Sequence, residues 1–403
     1  MHHDKENKKV ILHIVRSYDS TFRNFIQNLR NYNHIILPTA EPNPLTHPSL
    51  SVFVKYIKPK LKALKILLRE RIDLVILIGY FGLPFGLLIT LISKVRGIKI
   101  INWVDISEEA LPKLEFKKFS FVSFVNIVNL LRFPLCILHA SLNDVITCYT
   151  KYGLEVLSKF RVSREKIRVI PLGCDINFGE ISVQESEIGE KYILSVARWV
   201  ERKNLHTILK VFSEISKEVK DINLYVVGDF HGGRYYIPEK GIWESGEDYR
   251  DKIIYMIKNL NLKNVNFLGF VPNDSEKYKY LFKNARIFYL PSKLETFGRV
   301  YIEAMASGTP IVAMKNSAVQ YVVEDGVTGF LMNTEEGQKE AILKLLREDC
   351  LWNEMRKNCL KHAEYYKWEN VARIWESLIN ELTGNSERAV KGYNEIEVEG
   401  RDV

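Results

Sequence analysis

The sequence lacks a CxxC pair, any HxH or HxxxH spacing and any Asp-Xaa-Asp. These absences exclude the usual short motifs that hold zinc or another resident metal, so no metal and no other cofactor is expected. Cysteine is scarce and odd in number, with Cys136, Cys148, Cys174, Cys350 and Cys359. That usage argues against a disulfide framework and fits a reducing compartment, which makes the cytoplasm the expected location. No charged-then-apolar leader with a small-residue cleavage site opens the chain, which begins MHHDKENKK and goes directly into VILHIV. No tandem short repeat is present, which excludes a solenoid. Nucleic acid is not an expected partner. No recognition motif occurs, and the basic residues are not interleaved with aromatics in a repeating way.

At 403 residues the chain is long enough for about two domains, each with its own core. The hydrophobic fraction of 46% and charged fraction of 26% are those of an ordinary globular protein. The net charge of +8 is uneven, about +11 over residues 1–180 and about −3 over the remainder. One reading is scattered solvated lysines. The other is a basic acceptor-binding half that meets an acidic glycan or an anionic membrane surface, making the protein peripheral on the cytoplasmic face.

Apolar runs rich in β-branched residues alternate with helical patterns from end to end. Strands are expected at 10–16, 34–39, 73–79, 98–104, 144–149 and 167–172, with helices at 52–69 and 83–95 among those between them. In the second half, strands are expected near 192–197, 222–228, 265–270, 285–291 and 310–314. Helices near 204–218, 248–260, 274–284 and 299–307 separate them. Such alternation means α/β architecture, a parallel sheet covered on both faces, and it occurs here in two blocks joined by a polar stretch at 176–190. Two uncharged or nearly uncharged stretches need explaining. In 74–93, Gly79, Gly82, Pro84 and Gly86 break a would-be membrane span into strand, loop and helix start. The stretch 119–139 reads either as a core helix of the first domain or as a surface helix resting on a bilayer, because its polar positions fall at spacing three.

The most informative string is Glu295-Thr-Phe-Gly-Arg-Val-Tyr-Ile-Glu303, inside PSKLETFGRVYIEAMASGTPIVA. Two carboxylates flank a glycine at the start of a short helix, with a strand-like run (ARIFYLPS) before it and another (PIVAM) after it. Open parallel sheets bind ligands at the carboxyl ends of their strands. A helix start offers free N–H groups and partial positive charge, which suit a phosphate. Carboxylates beside a phosphate are unfavourable unless they serve something else, such as sugar or ribose hydroxyls. The pattern therefore points to a nucleotide sugar. The plainer alternative makes Gly298 a simple helix-start glycine and Glu303 a solvated carboxylate favoured by the helix dipole.

Glu, seven residues, Glu, with Phe-Gly after the first and EAMASGTP after the second, resembles the signature of glycosyltransferase family 4. The resemblance covers about residues 165–380 strongly and 10–165 weakly. It implies the GT-B fold, two Rossmann-like domains facing each other across a cleft, and retaining, metal-independent transfer of a hexosyl-type sugar. The acceptor-binding domain is expected over 1–178 and the nucleotide-sugar domain over 185–365. A helix at 366–382, opened by Trp368 and Glu369, is expected to cross back to the first domain, and a mobile tail to occupy 383–403. The donor is a nucleotide-diphosphate sugar and the acceptor a glycan or lipid-linked hydroxyl.

Carried over residue by residue, the resemblance sets Arg198 and Lys203 against the donor diphosphate. Glu295 accepts hydrogen bonds from the sugar hydroxyls, and Glu303 from the ribose diol. The N–H groups near Phe297, Gly298 and Arg299 face the diphosphate, and main-chain atoms at Val271 contact the base. Gly228-Asp229 stands where the family has a Gly-Xaa-Gly turn, followed here by a long polar insert. The chain also departs from the pattern. RSYDSTFRNF, after the first strand, contains no glycine, and PLGCD at 171–175 replaces two residues of the usual interdomain turn. Where many members carry a His before an Asp, this chain has Val104 before Asp105, which makes Asp105 a candidate for orienting the acceptor hydroxyl, or else a turn cap. Three rivals stay open: a sugar phosphorylase or sucrose-phosphate-type synthase on the same fold, a catalytically silent nucleotide-sugar-binding scaffold, and a membrane-surface adaptor.

Overall fold

A computed structural model of the protein describes residues 8–15, 20–39, 50–79, 83–106, 134–174, 192–230, 234–237 and 242–384. The polar stretch 176–190, residues 119–133, Asp175 and the tail from 385 lie outside them. The described residues fall into two compact units, one within Met1–Gly173 and Trp368–Val403, the other within Cys174–Lys367.

The first unit runs β1 (Val10–Val15), α1 (Ser20–Asn28), β2 (Asn33–Pro38), α2 (Leu50–Arg69), β3 (Leu74–Ile78), α3 (Pro84–Val95) and β4 (Lys99–Trp103). It continues with a helix α4 described over 134–142, then β5 (Val145–Cys148), α5 (Lys151–Lys159) and β6 (Ile167–Val169). The strands pair in the order β2-β1-β3-β4-β5-β6, all parallel. Parallel strands are covered on both faces, which is why LVILI of β3 is apolar at every position. In the uncharged stretch 74–93, β3 ends at Ile78 before Gly79 (φ 79°), and Pro84 opens α3 at a position where a missing N–H costs no helical bond; Gly86 lies within α3, and Gly82 is outside the described residues. No helix among the described residues is long and apolar enough to cross a membrane.

The second unit runs β7 (Tyr192–Val196), α6 (Leu205–Glu218), β8 (Asn223–Val227), β9 (Arg234–Ile237), β10 (Ile242–Ser245), α7 (Gly246–Asn259) and β11 (Val265–Gly269). Then follow α8 (Glu276–Asn284), β12 (Ile287–Leu290), α9 (Arg299–Ala306), β13 (Ile311–Ala313), α10 (Val319–Val322), β14 (Gly329–Leu331), α11 (Glu335–Arg347) and α12 (Asp349–Ala363). Six strands pair in the order β11-β8-β7-β12-β13-β14, again all parallel. From β7 the chain moves outward to β8 and β11, then returns to lay β12 on the other side of β7. That reversal makes a topological switch point between β7 and β12, and ligands of open α/β sheets bind outside the carboxyl ends of strands at such a point.

The polar insert after Asp229 is not all loop. It carries an antiparallel hairpin in which Ile242 opposes Ile237 and Ser245 opposes Arg234. Its strands are four residues each and are separated by Pro238 and Gly241, too short for alternation to register. Ser245 then caps α7: its side chain accepts from the Asp248 N–H while Asp248 accepts from the Ser245 N–H. This capping box starts the helix two residues before the expected 248.

The last helix, α13 (Trp368–Thr383), belongs to the first unit. Trp368, Val371, Trp375 and Leu378 pack with Phe25, Trp103, Ile11 and Ile76 on the α1 face of that sheet. The Trp103 and Trp375 rings lie 4.9 Å apart, and Tyr32 donates to Asn380 at 3.0 Å.

Candidate active site of the second unit

Loops at the carboxyl ends of β7 and β12 are tied together before any side chain reaches into the site. After β7 the chain makes a tight turn over Glu201–Lys203, which ends because Asn204 takes a left-handed conformation (φ 65°). Asparagine tolerates that region better than most residues. The Asn204 amide donates to the Pro291 carbonyl at 3.1 Å, and the Lys293 N–H donates to the Arg202 carbonyl at 2.8 Å. A third loop, after β13, holds the β12 loop from the other side. Asn316 donates to the carbonyls of Ser292 (2.7 Å) and Lys293 (2.8 Å), the Glu295 N–H donates to Ser317 Oγ (2.9 Å), and the Ala318 N–H donates to the Glu295 carbonyl (3.2 Å).

On this frame Lys203 Nζ donates to Glu295 Oε1 at 2.5 Å, with side-chain exposures of 16% and 10%. Two residues 92 positions apart thus meet at the switch point. Gly298 starts α9 with φ 85°, and a Cβ there would come within 2.5 Å of the Tyr301 ring. Both the backbone angle and the close ring select glycine. No side chain caps α9, and the Tyr301 N–H donates back to the Gly298 carbonyl at 2.9 Å; the partial positive charge of such a helix start favours an anion. Phe297 is buried, its ring 6.1 Å from that of Tyr366.

Glu303 lies one turn into α9 and is buried, not a solvated first-turn carboxylate. Each oxygen has a donor: Arg299 Nε reaches Oε1 at 3.0 Å and the Tyr278 hydroxyl reaches Oε2 at 2.7 Å. Burial, reinforced by the Glu303 carboxylate, pushes the Tyr278 pKa well up, so the hydroxyl keeps its proton and acts as donor. Burial opposes the Arg299 charge, but Glu303 more than offsets it and holds the guanidinium pKa above its ordinary value.

Val271 is buried just beyond β11. Arg198 follows β7 and is exposed, as is Arg202. Gly228 closes the β8 end: with φ 108°, a Cβ there would fall 1.9 Å from the Ala197 carbonyl oxygen. Asp105 belongs to the first unit and is exposed just after β4. Val104 beside it is a core residue whose N–H donates to the Thr147 carbonyl at 2.9 Å. Among the described residues no cluster of three His, Cys, Asp or Glu is disposed to hold a metal.

The sequence reading missed Tyr278, Asn204, Asn316 and Ser317. Asparagine directly after a basic turn is a left-handed cap signal that could have marked Asn204. Tyr278 gave none, because it meets Glu303 only through tertiary folding.

Residues 179–365 match the family model described as Glycosyl transferases group 1. An alpha-monoglucosyldiacylglycerol synthase of Streptococcus pneumoniae is 28% identical over 217 residues, 50% of this chain and 44% of that protein. An N-acetylgalactosamine-N,N'-diacetylbacillosaminyl-diphospho-undecaprenol 4-alpha-N-acetylgalactosaminyltransferase of Campylobacter jejuni is 25% identical over 291 residues, 71% of each chain. The matched region is under half of the first of these relatives. Among solved structures, Anabaena HepE in complex with UDP superposes with a TM-score of 0.67 at 17% identity, covering 92% of this chain and 99% of that one. The fold expected from the resemblance, two Rossmann-like α/β units of the GT-B kind, is thus the fold of this chain. Residues 179–365, most of them in the second unit, are thus similar to the group 1 glycosyl transferases, the kind that the Glu295–Glu303 string resembles.

Proposed function

We propose that the second unit binds a nucleotide-diphosphate sugar and that the protein transfers its hexosyl-type sugar, with retention and without a metal, to a glycan or lipid-linked hydroxyl. One observation carries the reading: Lys203 and Glu295 converge at the switch point, beside the uncapped start of α9. Breaking the sugar–phosphate bond places negative charge on the departing diphosphate. In the proposed arrangement Arg198, Lys203 and the N–H groups at Phe297, Gly298 and Arg299 stabilise that charge, each fixed donor being worth ~2.7–4 kcal/mol of barrier. Glu295 reads the sugar hydroxyls, Glu303 the ribose diol, and main chain at Val271 the base. The salt bridge to Glu295 keeps Lys203 placed before donor arrives. The acceptor belongs to the first unit, with Asp105 as the candidate that orients its hydroxyl. Attack from the face the diphosphate leaves, with the proton passing to a leaving phosphate oxygen, gives retention. Diacylglycerol in the name of one relative and undecaprenol in that of the other support a lipid-linked acceptor.

A catalytically silent nucleotide-sugar binder is the second reading, and the buried Val104 where the family often has a His favours it. A panel of UDP-, GDP- and ADP-sugars tests both. A donor at a hundredfold excess over its Kd stabilises the protein by about 2.7 kcal/mol. The main reading expects one donor to raise the Tm, and its sugar to appear on a lipid-linked or glycan acceptor with unchanged anomeric configuration by NMR. Stabilisation without transfer to any acceptor favours the silent binder. No stabilisation by any nucleotide sugar overturns both.

A further inference from the structure

The two faces of the first unit are finished differently. On one, α1 and α13 seal the sheet with Phe25, Trp368 and Trp375. On the other, Ala63 and Leu67 of α2 and Ile89 of α3 pack on Leu12, Val75 and Ile100. The solvent side of that second layer carries large apolar residues where a water-facing helix is usually polar. Among the described residues of this unit, every exposed large hydrophobic lies on α2, α3 or α4: Leu61, Leu68, Leu88, Leu91, Val95 and Leu138.

Their spacing makes them stripes. Leu88, Leu91 and Val95 follow i, i+3, i+7 along α3, and Leu61 and Leu68 follow i, i+7 along α2, so each set shares one helix face. Val95 is 90% exposed and Leu68 59%. Cations are interleaved with them. Lys58, Lys62, Lys65 and Arg69 of α2 are exposed and make no ion pair with a described residue. Neither α2 nor α3 contains a single acid. Nearby Lys94 and Lys99 are partly neutralised by Asp144, at 2.8 and 3.3 Å, and Glu70 follows α2, so the free positive charge is concentrated on α2 itself. Leucines and lysines sharing one helical layer match the chemistry of a bilayer interface. The apolar side chains enter the headgroup–acyl boundary and the ammonium groups remain among anionic headgroups.

We propose that the outer face of α2 and α3 rests on an anionic lipid surface and holds the protein there without a membrane-spanning segment. Charge complementarity selects this occupant. A protein partner or a second copy would need acids opposite Lys58, Lys62, Lys65 and Arg69, whereas anionic headgroups supply them at every position. Binding of the donor by the second unit does not enter the argument, so the surface and the site can fail separately.

Vesicle flotation of the purified full chain tests it. The vesicles are phosphatidylcholine alone or phosphatidylcholine with phosphatidylglycerol, at low and high salt. The chain is expected to float with the anionic vesicles and to be released by salt. Each cation removed costs about a fivefold loss of partition, so Lys62→Gln with Lys65→Gln lowers it by about 25-fold. Replacing Leu88, Leu91 and Val95 together by Gln is expected to abolish flotation. The exposed pair Ile254 and Tyr255 on α7, changed to Gln, is the control and should change nothing. Unchanged Tm and circular dichroism show that each variant is folded. The proposal is overturned if the wild type stays unbound, floats equally with neutral vesicles, or floats undiminished as the α2 or α3 variant. A dimer in size-exclusion chromatography that the α3 variant dissolves would instead make this face a self-interface, which also overturns it.

Discussion

Both units wrap a six-stranded parallel sheet in helices and bury polar side chains, yet the contacts among their titratable side chains lie in different places. In the second unit these groups gather at strand ends: Lys203 on Glu295, Tyr278 and Arg299 on Glu303. In the first they lie inside the fold. His13 meets His34 at 2.9 Å, and Thr90 meets His139 at 2.9 Å beside the buried Asn102. Its exposed layer is instead apolar and basic. One plan therefore serves two ends. Groups at the carboxyl edge stand where open sheets bind ligands, and groups between sheet and helix tie elements together.

The strongest break in this comparison comes from the second unit. Lys203→Ala and Glu303→Ala should each lower turnover at least about a hundredfold with the fold retained by circular dichroism, in line with ~2.7–4 kcal/mol for a lost transition-state contact. Wild-type-like turnover in either variant would remove the site from this unit.

Acid should act first on the other unit. Burial holds the His139 pKa down to about 4 and that of His13 well below 6.5, with the facing His34 adding to the effect on His13. The unfolded chain takes up these protons near 6.5, the folded one only further down. Stability is therefore full above about pH 6.5 and falls as pH drops towards 4, by roughly 3 kcal/mol for His139 alone. Amide exchange should show first-unit protection failing first, and His139→Gln should flatten the slope. Equal losses in both units would contradict the contrast.

The smallest effect belongs to Tyr278→Phe. It removes one of two donors to Glu303 and leaves the ring in place. A hydrogen bond to a charged group is worth about 1.5–3 kcal/mol, so turnover should fall by about tenfold or somewhat more, less than for Glu303→Ala. An unchanged rate would mean that Arg299 alone holds the carboxylate.

Alternation of LVILI, YILSV and IFYL with helical periods was enough to place the sheet strands as far as β13, because parallel strands buried on both faces are apolar throughout, whereas β14, α11 and α12 were not placed. The hairpin β9–β10 escaped because four-residue strands leave no periodic trace. In the site, Glu295, Gly298 and Glu303 were legible because one short string carries them. Their partners were not. Tyr278 comes from another helix and Ser317 from another loop, and nothing local ties them to a glutamate 25 or 22 residues away. The greasy face of α2 and α3 was missed for a similar reason. Leu88 and Leu91 read like core residues until the fold shows which side of the helix is covered.

The central claim is that the second unit grips the pyrophosphate of a sugar nucleotide at its switch point. A crystal structure with the nucleotide sugar that stabilises the protein most tests it directly. The account expects the pyrophosphate within hydrogen-bond reach of Lys203 Nζ and the start of α9, the ribose diol on Glu303 and the sugar on Glu295. A donor bound elsewhere, with Lys203 still paired to Glu295 and that edge empty, would contradict it.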